Sequence, residues 1–285
     1  MRGCTVRRLL IVDGSNLLFQ MFYGMPARIM GKTGRPVQGT VGFVGALLKM
    51  IRMVRPTHVA VLFDGESENE RVSLDADYKA NRPDYSEMPE DEVPFSQLPD
   101  IYAALDELGI KHAETTVCET DDWVAAYATS PDIGCDIVIS SFDSDFFQLI
   151  TDRVSVLRYR GDASVLCTPQ YVYEKLGVRP GQYADYKCMV GDTADNIRGL
   201  PGIGPKTAAT LLAEYNTLDE LLERAETVKR PAARRSIAEG RDRLLHNRAL
   251  ILLKGDAEIP FELDELKYTP SGRTSGEILR AIGVF

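Results

Sequence analysis

The chain lacks the features of a disulfide scaffold, a structural zinc site or a membrane protein. Its 285 residues include only five cysteines, and no two of them form a CxxC pair. No apolar run approaches the roughly 18 residues of a transmembrane helix. The apolar run that follows the basic N-terminus meets Asp13 after four residues, which is too short for a signal peptide. We therefore expect a reduced, cytoplasmic protein that does not enter a membrane.

Histidine is also scarce, and the net charge is negative. The three histidines, His58, His112 and His246, lie outside the acidic motifs described below, so we do not expect a histidine base in catalysis. A formal net charge of −9 argues at first against a nucleic-acid partner. Cations bound by clustered carboxylates would reverse that local sign. The distribution of the acids therefore decides the matter.

Three continuous apolar runs end in acidic residues. The runs "LLIVD", "VAVLFD" and "IVISSFDSD" end at Asp13, at Asp64, and at the pair Asp143 and Asp145. Such runs, separated by helical patterns, predict an α/β fold with a mostly parallel sheet flanked by helices. Ligands of these sheets lie outside the carboxyl ends of the strands. The sequence thus predicts that these acids share one edge of the sheet.

The rest of the chain predicts helices, two shorter strands and a long insertion. Helical spacing covers 40–54, begins again near Pro99, and recurs at 119–130; 154–159 and 164–168 indicate short strands. The segment 66–99 is polar and rich in charge, which indicates an insertion or a mobile element. From Pro169 onward the pattern is helical and rich in loops. We predict two domains, 1–180 and 181–285, with a boundary near Pro180.

Further acids stand at short, regular spacings. Asp143 and Asp145 point to the same side of an extended chain, and Glu119 and Asp121 are also two apart. Asp192 and Asp195, three apart in "GDTADN", lie on one side of a helical turn. Each acid taken singly is better explained as a helix cap or turn residue. The complete set of eight, from five segments and with Asp122 as a ninth candidate, favours a metal site. Its members are Asp13, Asp64, Glu119, Asp121, Asp143, Asp145, Asp192 and Asp195.

The chemistry of this set indicates hard divalent cations. Grouping so many carboxylates without cations would cost several kcal/mol through repulsion and desolvation. Ligands that are all oxygen favour Mg²⁺ or Mn²⁺ over zinc. Two such ions about 3.5–4 Å apart can hold the attacking and leaving oxygens of a phosphoryl transfer and activate water. The sequence therefore predicts two or more Mg²⁺ or Mn²⁺ ions.

A glycine turn follows the last two acids. The segment Leu200–Gly204 has the pattern h-x-G-h-G, with Gly202, Ile203 and Gly204, and the helical stretch "PKTAATLL" comes next. This is the signature of a helix-hairpin-helix, whose backbone N–H groups and following helix N-terminus bind a DNA phosphate without reading sequence. Lys206 would add a positive charge. The alternative is an ordinary tight turn between two helices.

Together these motifs resemble the bacterial 5′→3′ exonuclease and flap endonuclease family. That family includes the N-terminal nuclease domain of bacterial DNA polymerase I and stand-alone phage enzymes. The matching segments run in family order from Leu10 to Leu212: "IVDGSNLLFQMFYGMP", "VLFDG", "DYKANRP", "ETDD", "SFDSDFFQL" and "GDTADNIRGLPGIGPKTA". The resemblance implies a PIN-like core, a helical arch at about 66–99 and a helix-3-turn-helix DNA clamp. It also implies metal-dependent hydrolysis of DNA at 5′ flaps, nicks and 5′ ends, in replication and repair.

The resemblance also assigns roles to single residues. Asp13, Asp64, Glu119 and Asp121 match acids around one metal, and Asp143, Asp145, Asp192 and Asp195 match those around a second. Asp122 matches an acid behind the metal ligands. The assigned DNA contacts are Lys79 and Arg82 on the scissile phosphate, Tyr78 stacking on a base, Arg71 in the arch, and Gly202, Gly204 and Lys206 in the clamp. The turn Gly202–Ile203–Gly204 also matches a site for a monovalent cation, typically K⁺.

Some positions depart from the family, and some alternatives stay open. Gln20 replaces a common arginine, and Asp75 and Ala76 replace an aromatic-proline pair, so we expect one phosphate contact fewer and a less apolar arch. The basic stretch from Lys229 to Arg243 is equally well a duplex contact or a solvated helix face. We expect a monomeric, stand-alone nuclease. A non-catalytic junction-DNA-binding module and a PIN-type ribonuclease are the alternatives.

Overall fold

The computed structural model, which describes residues 7–65, 70–85, 88–116 and 118–285, is built around a six-stranded sheet. The strands are β1 (Arg8–Asp13), β2 (His58–Phe63), β3 (Lys111–Glu114), β4 (Asp136–Ser140), β5 (Val154–Arg158) and β6 (Val165–Cys167). Their order in the sheet is β3-β2-β1-β4-β5-β6. Every adjacent pair is parallel except β5 and β6. The predicted mostly parallel sheet is confirmed.

The helices cover both faces of this sheet and form most of the C-terminal part. They are α1 (Gly14–Gly24), α2 (Gln38–Val54), α3 (Glu70–Leu74), α4 (Leu98–Glu107), α5 (Thr120–Thr129), α6 (Pro169–Leu176), α7 (Tyr183–Val190), α8 (Pro205–Tyr215), α9 (Leu218–Glu223), α10 (Pro231–Glu239), α11 (Arg241–Ile251) and α12 (Ser275–Ala281). The predicted helices at 40–54, near Pro99 and at 119–130 correspond to α2, α4 and α5. No helix in the described part of the chain is long and apolar enough to cross a membrane.

The central strand β1 separates two buried layers. Leu10 and Val12 pack in one cluster with α2, α4 and α12, whereas Leu9 and Ile11 pack in a second cluster with α5. All six residues of β2 are buried. A strand that is covered on both faces needs apolar side chains at every position. This explains why the sequence shows continuous apolar runs here and no alternation.

Two elements of the core were not predicted from the sequence. Helix α1 begins directly after Asp13, which caps it by accepting a hydrogen bond from the Asn16 backbone N–H (2.9 Å). Strand β3 has the sequence "KHAE" and lies at the sheet edge with its end residues exposed. Neither element carries a distinctive apolar period, because one is amphipathic only in part and the other is a short edge strand.

A third buried cluster holds the C-terminal helices together. It includes Val178, Met189, Leu211, Ile237 and Leu250, which come from α7, α8, α10, α11 and the segment before α7. The last residues of the chain pack back on the α/β core. Ile278 and Leu279 of α12 lie in the cluster of α2, and Leu263 and Leu266 lie in that of α5. The predicted division into domains 1–180 and 181–285 stays a prediction.

The predicted helical arch at 66–99 is largely non-helical in its described part. It contains α3, turns at 76–82 and two 3₁₀ turns, Glu90–Glu92 and Pro94–Gln97; residues 66–69, 86 and 87 lie outside the described residues. Phe95 and Tyr85 pack edge-on against Phe19 of α1, with ring centroids 5.3 and 5.9 Å away. The segment has four prolines, which disfavour a continuous helix: Pro83, Pro89, Pro94 and Pro99.

The departures at Gln20 and Asp75 have structural partners. Gln20 Nε2 donates to the Tyr159 carbonyl (2.8 Å), so this side chain ties α1 to the end of β5. Asp75 Oδ2 lies 2.8 Å from His246 Nε2 and links the arch segment to α11. Both side chains therefore stabilise contacts within the protein at positions where the family resemblance led us to expect an arginine and an aromatic residue.

Candidate active site

Strands β1, β2 and β4 bring acids to one edge of the sheet. Asp13 is the last residue of β1, Asp64 follows β2, and Asp143 and Asp145 follow β4. Because these strands are parallel neighbours, their carboxyl ends lie side by side. Ser141 Oγ donates to Asp13 Oδ2 (2.8 Å) and so joins the ends of β1 and β4. The acids gather at the edge that the sequence predicts.

Asp13 lies at the buried centre of this edge. Burial, reinforced by the nearby Asp64 carboxylate, raises its pKa to about 7, although hydrogen bonds from Asn16 and Ser141 act in the opposite direction. A pKa this high means that the charged form of the carboxylate is destabilised unless a cation is nearby. The side chain therefore fits a cation-binding site.

Helix α5 adds two more acids next to Asp64. Glu119 is the N-cap residue of α5 and Asp121 lies in its first turn. Asp64 Oδ1 accepts a hydrogen bond from the Thr120 backbone N–H (3.1 Å), which fixes the start of α5 against the end of β2. Burial, followed by the charges of Asp143 and Glu119, raises the pKa of Asp121. Asp121 thus belongs to the same electrostatic group as the strand-end acids.

Asp192 and Asp195 come from a small hairpin after α7. Its strands are β7 (Gly191–Asp192) and β8 (Ile197–Arg198). Gly191 has a φ of +81°, and a Cβ there would lie 2.4 Å from the backbone nitrogen of Gly199. Only glycine fits this crossing of two backbones. The crossing fixes the loop that carries both acids.

The tightest group of acids combines this hairpin with the end of β4. One carboxylate oxygen from each of Asp145, Asp192 and Asp195 lies within 4.8 Å of the others. Burial and the charge of Asp143 raise the pKa of Asp145 to about 7, against the opposing effect of Lys187. Asp145 Oδ1 is buried and lies 3.2 Å from Lys187 Nζ. This oxygen-only donor set fits a hard divalent cation.

The other predicted group of acids is less compact. It consists of Asp13, Asp64, Glu119 and Asp121. Among the residues that the structure describes, the three acids above form the only group that meets at that distance. Glu119 instead makes ion pairs with Lys79 and Arg71. Its carboxylate is thus neutralised by protein cations in this structure. The division into two metal sites stays a prediction.

Lys187 is a site residue that the sequence reasoning missed. It is buried on α7, forms an ion pair with Asp192, and its Nζ lies 3.2 Å from Asp145 Oδ1. Burial would lower its pKa, but the charges of Asp145 and Asp192 raise it overall. A lysine in the otherwise apolar end of α7, five residues before Asp192, was the available signal. Lys187 supplies a positive charge inside the acid cluster.

Asp122 and Arg71 form a supporting pair behind the site. Arg71 is 3% exposed, and its Nη2 lies 2.7 Å from Asp122 Oδ1, while its Nε donates to the Leu250 carbonyl (3.0 Å). Arg71 also contacts Glu119. The guanidinium is enclosed by the protein in this structure, and the DNA contact assigned to Arg71 stays a prediction. It holds Glu119 and α11 in place, and Asp122 faces it rather than the acid cluster.

Tyr78, Lys79 and Arg82 reach the site from the arch segment. The Lys79 ammonium pairs with Glu119, and Arg82 Nη2 lies 3.0 Å from Asp195 Oδ1. The Lys79 backbone N–H donates to the Asp195 carbonyl (3.1 Å). Tyr78 is only 6% exposed, with its hydroxyl 3.4 Å from Glu119 Oε2. The ring is buried in this structure, and its stacking on a base stays a prediction.

The glycine turn lies between the hairpin and α8. Leu200 and Ile203 are buried in the third cluster, and Gly204 is the N-cap residue of α8. Gly202 has a φ of +74°, and no atom lies within 4 Å of a Cβ built on Gly202 or Gly204. The turn therefore presents an open backbone surface, with Lys206 in the first turn of α8. This matches the predicted helix-hairpin-helix geometry.

We expect the metal-free protein to lose stability as the pH rises from about 4 to about 7. The pKa values of Asp13 and Asp145 are about 7 in the folded state and ordinary in the unfolded chain, so the folded state binds protons more tightly in this range. Thermal unfolding in EDTA should give a lower Tm at a pH of about 8 than at about 5.5, and added Mg²⁺ should raise Tm more at the higher pH. The variants D13N and D145N should reduce the difference. An equal Mg²⁺ effect at both pH values would contradict this prediction.

Comparison with known proteins agrees with the fold. The N-terminal, resolvase-like domain of the 5′-3′ exonucleases matches residues 8–177, and their C-terminal SAM fold matches residues 178–274. DNA polymerase I of Rhizobium leguminosarum is 37% identical over 270 residues, covering 92% of this chain and 26% of that protein. The thermostable DNA polymerase I of Thermus aquaticus is 36% identical over 261 residues, covering 91% and 30%. The chain thus spans under a third of these relatives.

Two solved structures share the fold at lower identity. T5 5′-exonuclease with bound divalent metal ions (zinc) has a TM-score of 0.69 at 22% identity, over 86% of this chain and 89% of that one. The catalytic core of Rad2 in complex with DNA substrate has a TM-score of 0.57 at 16% identity, over 97% and 93%. Together with the two matched domains, which cover nearly the whole chain, these likenesses place the protein: it belongs to the 5′-3′ exonuclease family.

Proposed function

We propose that this chain is a divalent-metal-dependent 5′ nuclease that hydrolyses DNA phosphodiester bonds at 5′ flaps, nicks and 5′ ends during replication and repair. One observation carries the proposal: the carboxylates of Asp145, Asp192 and Asp195 converge within 4.8 Å, at the sheet edge where the other predicted acids end. The family of the chain gives the reaction class. The polymerase activity of the longer relatives is no part of the proposal.

The acids would hold the metal ions. Asp145, Asp192 and Asp195, with Asp143 beside them, would bind one ion, and Asp13, Asp64, Glu119 and Asp121 would bind a second. Their oxygen donors favour Mg²⁺ or Mn²⁺. When bound, these ions supply an activated water and neutralise the charge that develops on the phosphate. The zinc ions of the T5 5′-exonuclease structure support a metal site in this fold.

Lys79 and Arg82 would hold the reacting phosphate. Their cations now pair with Glu119 and Asp195, one from each predicted metal group. A phosphate that enters between these groups would meet both cations at once. Fixed positive charges aimed at a phosphoryl group lower the free energy of the transition state. Lys187 forms ion pairs with Asp145 and Asp192, and it would limit the electrostatic repulsion among the acids before DNA binds.

The glycine turn would bind the duplex away from the cut. The open backbone at Gly202 and Gly204, with Lys206, is suited to a DNA phosphate. A K⁺ ion would bind the same turn through backbone oxygens of Gly202, Ile203 and Gly204. The DNA complex of Rad2 supports DNA as the partner. The monomeric state, the cytoplasmic location and the division near Pro180 stay predictions from the sequence.

Product mapping tests this function. Flap, nicked and blunt DNA, each labelled at the 5′ end, would be incubated with the protein in Mg²⁺ and in EDTA, and the products would be sized. We expect cuts near the junction or the 5′ end in Mg²⁺ only. Cleavage in EDTA, cuts confined to the 3′ end, or a preference for a matched RNA flap on an RNA duplex would contradict the proposal.

A further inference from the structure

A cavity of about 590 Å³ lies between the glycine turn and the basic helices that follow it. Leu200 and Pro201 of the turn form one wall. Arg235, Ser236 and Glu239 of α10 form the other, and Arg243 of α11 closes one end. The cavity falls within the basic stretch Lys229 to Arg243, for which the sequence left two interpretations open.

Close packing holds the walls of this cavity in place. Ser236 Oγ donates to the Pro201 carbonyl (2.8 Å), which ties α10 directly to the turn. A Cβ on Gly240 would lie 2.2 Å from Leu200 Cδ2, so the junction of α10 and α11 approaches the turn as closely as only glycine allows. Ile237 and Leu244 are buried beneath. The basic side chains are therefore carried on a fixed surface beside the turn.

Within the described residues, no acid neutralises the arginine side chains that line the cavity. Arg235 and Arg243 are exposed, and neither forms an ion pair with any residue in the described ranges. Glu239 is the one acid among the lining residues. Nearby, Arg230 Nη1 donates to Thr207 Oγ1 (3.2 Å) in the first turn of α8, next to Lys206. Positive charge thus continues from the start of α8 to the cavity.

We propose that this cavity binds a second backbone phosphate of the DNA strand held by the glycine turn, through Arg235 and Arg243. The inference rests on the proposed function and extends the proposed DNA-binding surface beyond the glycine turn. Guanidinium groups suit phosphate because they donate two parallel hydrogen bonds. Ser236 already donates its hydroxyl to Pro201, so the two arginines supply the binding. Glu239 opposes the phosphate and weakens the contact.

Salt-dependent DNA binding without divalent metal tests this proposal. Fluorescence anisotropy with a 5′-flap duplex in EDTA would be measured over a series of salt concentrations. We expect R235A and R243A each to weaken binding by about three- to tenfold and to reduce the slope of log K against log salt by about 1. We expect E239Q to tighten binding. R52A is the matched control, because Arg52 is exposed in the last turn of α2 and does not line the cavity.

The direction in which each variant changes the DNA affinity distinguishes an electrostatic effect from misfolding. Unchanged affinity and salt slope in R235A and R243A, or losses equal to those of R52A, would overturn the proposal. Weaker binding by E239Q would also overturn it, since that outcome indicates a disturbed surface. Single-turnover cleavage with saturating protein should keep the wild-type rate in R52A. If the wild type binds as expected but never cleaves, the nuclease function fails while the phosphate site stands.

Discussion

D145N should lose at least about 10³-fold in the single-turnover rate of 5′-flap cleavage in Mg²⁺, because the loss of several kcal/mol of charge stabilisation has that effect. Asp145 shares the closest group of acids with Asp192 and Asp195, and its buried Oδ1 lies 3.2 Å from Lys187 Nζ. The amide keeps the shape of the side chain and removes its charge. DNA affinity in EDTA should change little, because the proposed contacts with the DNA duplex lie on the glycine turn.

The control for this variant is D132N. Asp132 is exposed in the loop before β4, so the same change of charge there should leave the rate intact. Circular dichroism and Tm would establish that D145N is folded. A D145N protein that cleaves at the wild-type rate would remove Asp145 from the site.

K79A should lose about 10²–10³-fold in the same rate, the range for removing one preorganised donor from a reacting group. Its effect on duplex affinity should be much smaller, because Lys79 acts on the strand that is cut. The side chain lies against Glu119 and its backbone is bound to Asp195, so the ammonium is held between the two predicted metal groups. Rapid-quench measurement with saturating protein separates this rate from binding.

The backbone of Lys79 provides a second variant. Its φ is +58°, a conformation that glycine adopts without strain. K79G therefore removes the ammonium without adding strain, and it should lose as much rate as K79A. If K79G kept the wild-type rate while K79A lost it, backbone strain would explain the result and the assigned role would be wrong. R82A should show a similar but smaller loss, because Arg82 is more exposed.

The sequence predicted the acidic edge because one simple rule fixes it. Buried parallel strands are apolar throughout, so the first acid after each run marks its carboxyl end, as at Asp13 and Asp64. The register of β1 between β2 and β4 then places these ends together. The glycine turn was predictable for a similar reason, since Gly202 adopts a conformation that few other residues can.

The pairing of cations with acids was beyond sequence reasoning. Arg71 lies in the arch segment, and only the fold shows that α3 packs on α11, so that its guanidinium meets Asp122 and the Leu250 carbonyl. Lys187 likewise lies on α7, and the packing of α7 in the third buried cluster sets the orientation of that helix. Long side chains reach partners far away in sequence, and no local period records them. Contacts of this kind depend on the packing of whole elements.

The segment between the acids and the turn is part of the site rather than a free spacer. Ile197 and Arg198 pair with Asp192 and Gly191 in the hairpin, and the Leu200 N–H donates to the Met189 carbonyl (2.8 Å). Shortening this segment would break the hairpin that positions Asp192. Such a deletion should therefore abolish cleavage rather than shift the cut.

Mn²⁺ binding to the metal-free protein tests the central claim most directly. Electron paramagnetic resonance would count bound Mn²⁺ in the wild type, D145N, D64N and D132N. We predict that the wild type and D132N bind alike, and that D145N and D64N each lose bound ion together with flap cleavage. Equal Mn²⁺ binding by all four proteins would contradict the claim that these acids form the metal site.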